Sequence, residues 1–141
     1  MARTTTERTD RQLRLLVGLV CLAAATAVIW AGSSVAQAGP PSADLLAAVG
    51  AVLLFVAVGS FATVWVRIRA TRHGISWSDT AILIGLAVAP TPWVILSTAV
   101  AVGLVKLLVR VAPVKLAFGV AKDVLLATTA GAVLITVGVV G

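Results

Sequence analysis

The sequence is poor in the residues that build catalytic and metal sites. It has one cysteine, one histidine and no tyrosine. A lone Cys21 cannot form an intrachain disulfide, and one histidine with one cysteine is too few for a Cys/His metal cluster. The nucleophile-elbow, zinc-protease and phosphate-loop motifs do not occur in the sequence. We therefore expect no enzymatic activity, no cofactor and no bound metal.

Charged residues are scarce as well, and this scarcity defines the class of protein. Only 11% of the 141 residues are charged and 60% are hydrophobic, whereas soluble domains are about 25% charged and 45–50% apolar. The mean hydropathy is +1.12, and the apolar residues form long uncharged runs, which indicates an integral membrane protein. The dominance of Val, Ala, Leu and Gly resembles high-GC bacterial proteins, so we expect a bacterial cytoplasmic membrane.

The net charge of +6 does not indicate nucleic-acid binding, because the basic residues lie between apolar runs. They are typical of orientation signals and of contacts to anionic lipid headgroups. Residues 33–43 contain no Lys or Arg, so we expect that loop outside and the N-terminus in the cytoplasm. The basic residues that set this topology are Arg11, Arg14, Arg67, Arg69, Arg72, Lys106, Arg110 and Lys115.

Five apolar segments predict an all-α, polytopic transmembrane helical bundle. We expect residues 1–14 to form a basic cytoplasmic tail and residues 15–141 a single membrane domain. The tail, the first run and the Ala36-Gln37-Ala38 motif also match a secretory signal peptide cleaved after Ala38, and retention as a first span is the other interpretation. The predicted apolar segments are residues 15–32, 45–66, 77–89, 93–109 and 124–140.

Residues 77–109 form one apolar run interrupted by Pro90 and Pro92. A single helix of this length would reach about 50 Å, well beyond a hydrocarbon core of about 30 Å. It would also place Lys106 outside, against the positive-inside rule. Each proline removes a backbone donor and disfavours helix before it, so we expect a Pro-broken helical hairpin.

The position of the hairpin turn in the bilayer stays open at this point. The turn either reaches the outer interface or lies at membrane depth and lines a cavity, as in transporters; a kinked single span is the third interpretation. The candidate ligand region at the turn comprises Pro90, Thr91, Pro92, Trp93 and Ser97.

The carboxylates are interpreted here as helix-start residues; a coupling-ion or proton-relay role for Asp79 or Asp123 is the other interpretation and requires them to lie inside the bundle. Asp44, Asp79 and Asp123 each precede an apolar run, where capping and the helix dipole stabilise a negative charge. Residues 113–123 are expected to form an amphipathic turn at the interface, and His73 to lie in a solvated loop. Hydroxyls within the spans are expected to bond to their own backbone or to a neighbouring helix. The last run ends at Gly141 without a charged anchor, so we expect a longer protein.

Residues 73–127 resemble the N-terminal multi-spanning membrane domain of bacterial cyclic-di-GMP signalling sensor proteins (GGDEF, EAL or HD-GYP). In that group a helix start precedes an apolar limb, a proline–tryptophan turn, a second limb and a basic proline-containing loop. The resemblance implies a membrane-embedded sensory or anchoring module with its enzymatic domain further along the chain. Gly119 and Lys122 depart from the group's pattern. The matching positions are Ser78, Asp79, Pro90, Trp93, Pro113, Lys115, Phe118 and Ala121.

Three functions are therefore considered. The first is the sensory or anchoring module. The second is a small-solute transport component with its site at Pro90–Pro92. The third is a structural subunit of a membrane complex or a holin-like pore former. For the chain in general, the expected partners are the lipid bilayer and either further copies of the chain or other membrane subunits.

Overall fold

The computed structural model describes residues 2–69 and 77–138, with side chains for residues 11–62 and 77–138. This part of the chain consists of five α-helices. Four segments are long and apolar enough to cross a membrane, and they end at residues 37, 62, 108 and 136. The predicted all-α, membrane-spanning bundle is thus confirmed. The helices are α1 Ala2–Gln37, α2 Ala43–Arg69, α3 Trp77–Val88, α4 Thr91–Leu108 and α5 Pro113–Thr136.

Two helices begin well before the apolar segments predicted for them. Helix α1 begins at Ala2 and not at residue 15, since the tail contains no Gly or Pro and an existing helix extends without a new nucleus. Helix α5 begins at Pro113 and not at residue 124, and it ends at Thr136. Proline is suited to the first turn of a helix, so the expected interfacial turn is the beginning of the last long helix.

The break at Pro90 is present, and its form is a helical hairpin. Pro90 has φ −59° and ψ 140°, and it is the N-cap of α4. Its carbonyl accepts hydrogen bonds from the Trp93 and Val94 amides, 3.0 and 3.2 Å long. Both Asp79 of α3 and Lys106 of α4 lie against the first half of α5, whereas Thr91 lies against its second half. The two limbs are therefore antiparallel, and a kinked single span is excluded.

Helix α4 is the centre of the bundle and packs against each of the other four helices. Its buried face is apolar, with Val94, Ile95 and Val102 fully buried. Helices α1 and α2 have no contact with each other in the described part of the chain. They leave many large apolar side chains exposed, such as Leu19 and Phe55. Exposed apolar faces on spanning helices are the surfaces that contact lipid.

Helix α3 is short and begins deep in the bundle. A Cβ on Gly59 of α2 would lie 3.2 Å from the Trp77 carbonyl carbon, and a Cβ on Gly85 of α3 would lie 2.9 Å from Val52 Cγ1. Glycine permits this close antiparallel approach. Helix α2 continues for roughly ten residues beyond Gly59, which is about 15 Å. The N-terminus of α3 is therefore set back from the end of α2.

Several predicted topology residues fall outside what the structure describes. Arg72 and His73 lie outside the described residues, and Arg67 and Arg69 are described for their backbone only. The sequence-based topology at these positions stays a prediction.

Candidate functional site

The hairpin turn forms one wall of a recess at one end of the bundle, which we call the turn end. The recess has a volume of about 510 Å³ and is lined by residues 86–92, Trp30 of α1 and Ile135 of α5. Helices α1, α3, α4 and α5 therefore contribute to it. A volume of this size lies within the range of about 300–1,000 Å³ that is typical of small-molecule sites.

The turn is set below the ends of its neighbours. The Thr91 side chain packs against the backbone of Gly131, and α5 continues from there to Thr136, which adds about 8 Å. Helix α1 continues from Trp30 to Gln37, about 10 Å further. The recess exists because α3 and α4 turn before α1 and α5 end. This geometry favours a cavity-lining turn over a turn at the surface of the bundle.

The predicted turn residues divide into two groups. Pro90, Thr91 and Pro92 line the recess, and Thr91 is buried. Trp93 and Ser97 are not among its lining residues. They follow the turn along α4, where Trp93 is half-buried and Ser97 is buried. The lining is largely apolar, so the recess suits a ligand that is small and weakly polar.

A second polar feature lies at the opposite end, which we call the basic end. The Lys122 ammonium nitrogen is 3.6 Å from Asp79 Oδ1 and 3.2 Å from Asp123 Oδ1. Lys106 of α4 lies with its ammonium against Gly119 of α5, and it attracts Asp123 electrostatically. Charged groups from α3, α4 and α5 thus meet in one cluster, which we call the charge cluster.

The cluster is buried on one side and open on the other. Asp123 is 4% exposed, whereas the Lys122 and Asp79 side chains are 50% and 43% exposed. The Oδ1 atoms of both carboxylates are buried and make no well-oriented hydrogen bond in the described structure. Among the described residues, Lys122 and Lys106 are the cations that act on Asp123, and Lys122 also pairs with Asp79.

The interpretation of Asp123 as a helix-start residue is wrong. Because α5 begins at Pro113, Asp123 lies in the middle of the helix, on the same face as Ala127 and Gly131. An ionisable residue inside a spanning helix is a functional candidate by default. The signal available in the sequence was the spacing of Asp123, Ala127 and Gly131 at intervals of four, which is one helix face. Asp79 does lie in the first turn of α3, as predicted, but it also pairs with α5.

An apolar layer separates the recess from the charge cluster. Ile82, Ile95, Val102 and Val124 are fully buried, and each lies along its helix between the turn end and the cluster. Thr98 belongs to the same layer, and its hydroxyl is one of two buried hydroxyls, with Ser60, that lack a hydrogen bond in the described part of the chain.

The remaining hydroxyls behave largely as predicted. Thr26, Thr128, Thr129 and Thr136 donate to carbonyls three or four residues earlier in their own helices. Cys21 is a free, half-buried thiol, and the described residues contain no group of three or more potential metal ligands. The recess and the charge cluster are thus the two features that offer chemistry. No protein-family model, no curated protein and no solved structure matches the chain.

Proposed function

We propose that this chain is a membrane-embedded, non-catalytic binding module that takes a small, largely apolar solute in the recess at the hairpin turn. The observation that carries the proposal is the recess itself, which forms where the Pro90 break ends α3 and α4 below the ends of α1 and α5. Broken helices at depth are the usual way in which membrane proteins build solute sites.

The positive-inside rule orients this module. Arg11, Arg14, Lys106, Arg110 and Lys115 belong to the basic end, whereas the loop between α1 and α2 has no basic residue. We therefore place the basic end in the bacterial cytoplasm, next to anionic headgroups, and the recess on the outer side.

The first role that we propose for such a site is a sensory or anchoring role in a signalling protein. It is motivated by the resemblance of residues 73–127 to the membrane domains of cyclic-di-GMP signalling proteins. Transport of the solute is the second, and a specific observation favours it. The apolar layer divides a recess at one end from a charge cluster at the other, and transporters likewise hold their solute behind a closed layer. The same layer fills the interior of one copy, which counts against a pore through a single chain.

Ligand binding in the recess is tested by the thermal stability of the purified chain in detergent, measured across a panel of small lipophilic metabolites. We expect a subset to raise the melting temperature. The variant Trp30→Ala should weaken that binding about tenfold, equivalent to about 1.4 kcal/mol, because Trp30 lines the recess. Trp77→Ala is the matched control, since Trp77 is exposed to a similar degree but lies at the basic end.

Equal losses in the two tryptophan variants, or no stabilising compound in the panel, would overturn the proposal. Accumulation of a stabilising compound in proteoliposomes then supports transport, whereas binding without accumulation supports the sensory role. Stable co-purification with a large complex would point to the structural subunit.

The orientation makes a separate prediction. In a Cys21→Ala background, Gly39→Cys should react with a membrane-impermeant thiol reagent in intact cells, because Gly39 is in the exposed loop after α1. Arg110→Cys, in the exposed turn after α4, should react only after the membrane is opened. The reverse labelling pattern would refute the placement of the basic end in the cytoplasm.

A further inference from the structure

We propose that Asp79, Lys122 and Asp123 form a proton-binding lock, which ties the basic end of α3 to α5 and opens when a carboxylate takes up a proton. The lock concerns the charge cluster, and its proton binding does not depend on the recess. Its consequence for the recess rests on the proposed function.

Lys122 forms ion pairs with carboxylates on two helices. Its ammonium lies 3.6 Å from Asp79 of α3 and 3.2 Å from Asp123 of its own helix. Helix α3 packs mainly against α2 and makes its fewest contacts with α4, its partner in the hairpin. The ion pair to Asp79 therefore holds α3 to the part of the bundle that contains α5.

Access and burial favour proton exchange at this cluster. Lys122 and Asp79 are about half exposed, so the charge cluster is open on one side of the bundle. Asp123 is 4% exposed, and a buried carboxylate is tolerated in its charged form only while cations compensate it. A protonated carboxylic acid needs no such compensation. Proton uptake thus provides a second state in which Asp123 remains buried and Lys122 is free to leave.

The charges of the cluster balance in the locked state. Asp79 and Asp123 carry one negative charge each, and Lys106 and Lys122 one positive charge each, so the sum is zero. When a proton from water binds a carboxylate oxygen, Lys122 keeps its own protons and the cluster becomes +1. The attraction between Lys122 and the neutral acid is then weaker, and the one remaining carboxylate offsets the repulsion between Lys122 and Lys106 only in part.

No other described charge complicates this balance at close range. Helix α1, which also packs on α5, carries Arg11, Arg14 and Cys21 as its titratable side chains in the described range, and the two arginines keep their charge. Helix α2, which packs on α3, carries Asp44 in its first turn, at the turn end. Among the described residues that pack around the cluster, proton uptake is therefore assigned to the buried Asp123.

Helix α3 connects the lock to the recess. Its first turn carries Asp79, and its last residues, together with the turn, line the recess. The distance between the two is about 15 Å along one helix. Release of the lock at the basic end thus removes the ion pair that ties α3, a wall of the recess, to α5, while the packing of α3 on α2 remains. We expect this loss to lower affinity for the solute.

The test measures tryptophan fluorescence of the full chain in detergent, with Trp77 as its only tryptophan. Trp77 is two residues before Asp79, so its emission reports on the charge cluster. Substitution of Trp30 removes any fluorescence from the recess. We expect Trp77 emission to change on acidification through the range where carboxylates titrate. Asp123→Asn should abolish the transition, and Asp79→Asn should shift its midpoint by about one pH unit. Asp44→Asn and Lys115→Gln are matched controls, and their profiles should equal that of the parent.

Asp79 is half exposed, so we expect the Asp79→Asn variant to fold. It therefore tests the lock even if Asp123→Asn fails to fold. An unchanged profile in Asp79→Asn, or a flat profile in the parent, would overturn the lock. Solute affinity of the wild-type chain is then measured across the same pH range. A pH transition of Trp77 emission without solute binding would refute the proposed function and support the lock. Solute binding without a pH transition of Trp77 emission would support the proposed function and refute the lock.

Discussion

Replacing Lys122 with methionine is expected to destabilise the protein by about 3 kcal/mol. Lys122 is the cation nearest to the buried Asp123 carboxylate, at 3.2 Å, and its removal leaves that charge with Lys106 as its remaining described counter-ion. Lys122 is half exposed, but Asp123 is buried, and removal of the cation is destabilising because the orphaned carboxylate keeps its desolvation penalty. The measurement is reversible unfolding in mixed micelles, monitored by far-UV circular dichroism.

The double variant Lys122→Met/Asp123→Leu separates a lost charge pair from lost packing. Replacement of a buried ion pair by apolar side chains of similar size is often neutral, so the double variant should recover most of the stability that the single variant loses. Lys115→Met is the control, since Lys115 is exposed and should change stability by less than about 0.5 kcal/mol. If the double variant is as unstable as Lys122→Met, the loss does not come from the uncompensated carboxylate.

Gly131→Ala is expected to lower stability by about 2 kcal/mol, even though alanine favours a helix by roughly 1 kcal/mol over glycine. A Cβ at Gly131 would overlap the methyl group of Thr91, and Thr91 is the first residue of α4 after the turn. The added carbon therefore pushes the hairpin away from α5. Unfolding in mixed micelles measures the loss.

Two further variants locate the cause of that loss. Thr91→Ser removes the overlapping methyl, so it should restore most of the stability in the Gly131→Ala background. Gly103→Ala is the control, because nothing lies within 4 Å of a Cβ at that position, and it should be neutral or stabilising. A loss in Gly103→Ala as large as that in Gly131→Ala would show that glycine is required for another reason than the contact with Thr91.

The recess and the charge cluster both include residues of one short helix, α3. Helix α3 has 12 residues, about 18 Å, and it joins the recess at one end to the charge cluster at the other. A binding module needs an element that responds to its ligand, and such an element is drawn from the weakly held parts of a fold. Helix α3 packs closely on α2, but it has few contacts with its hairpin partner α4 and is tied to α5 by an ion pair in its first turn. Its contacts with α4 and α5 are the ones that a ligand or a proton could alter.

The sequence by itself determined the membrane class, the number of apolar helices and the break at Pro90. These depend on local composition and on the missing N–H of proline, and both act within a few residues. The start of α5 was missed because the basic, amphipathic segment after Pro113 suits an interfacial turn as well as the beginning of a long helix. Because this boundary was missed, Asp123 was expected at the start of a helix, whereas it lies in the middle of α5.

Only the tertiary structure decided which polar groups meet. Asp79 and Lys122 are separated by 42 intervening residues, and no local pattern pairs them. The recess likewise requires Trp30, the turn and Ile135, which come from three distant parts of the chain. In a bundle of nearly uniform apolar helices, close approach at glycines and the pairing of a few charges set the arrangement. Those contacts exist only once the helices are packed.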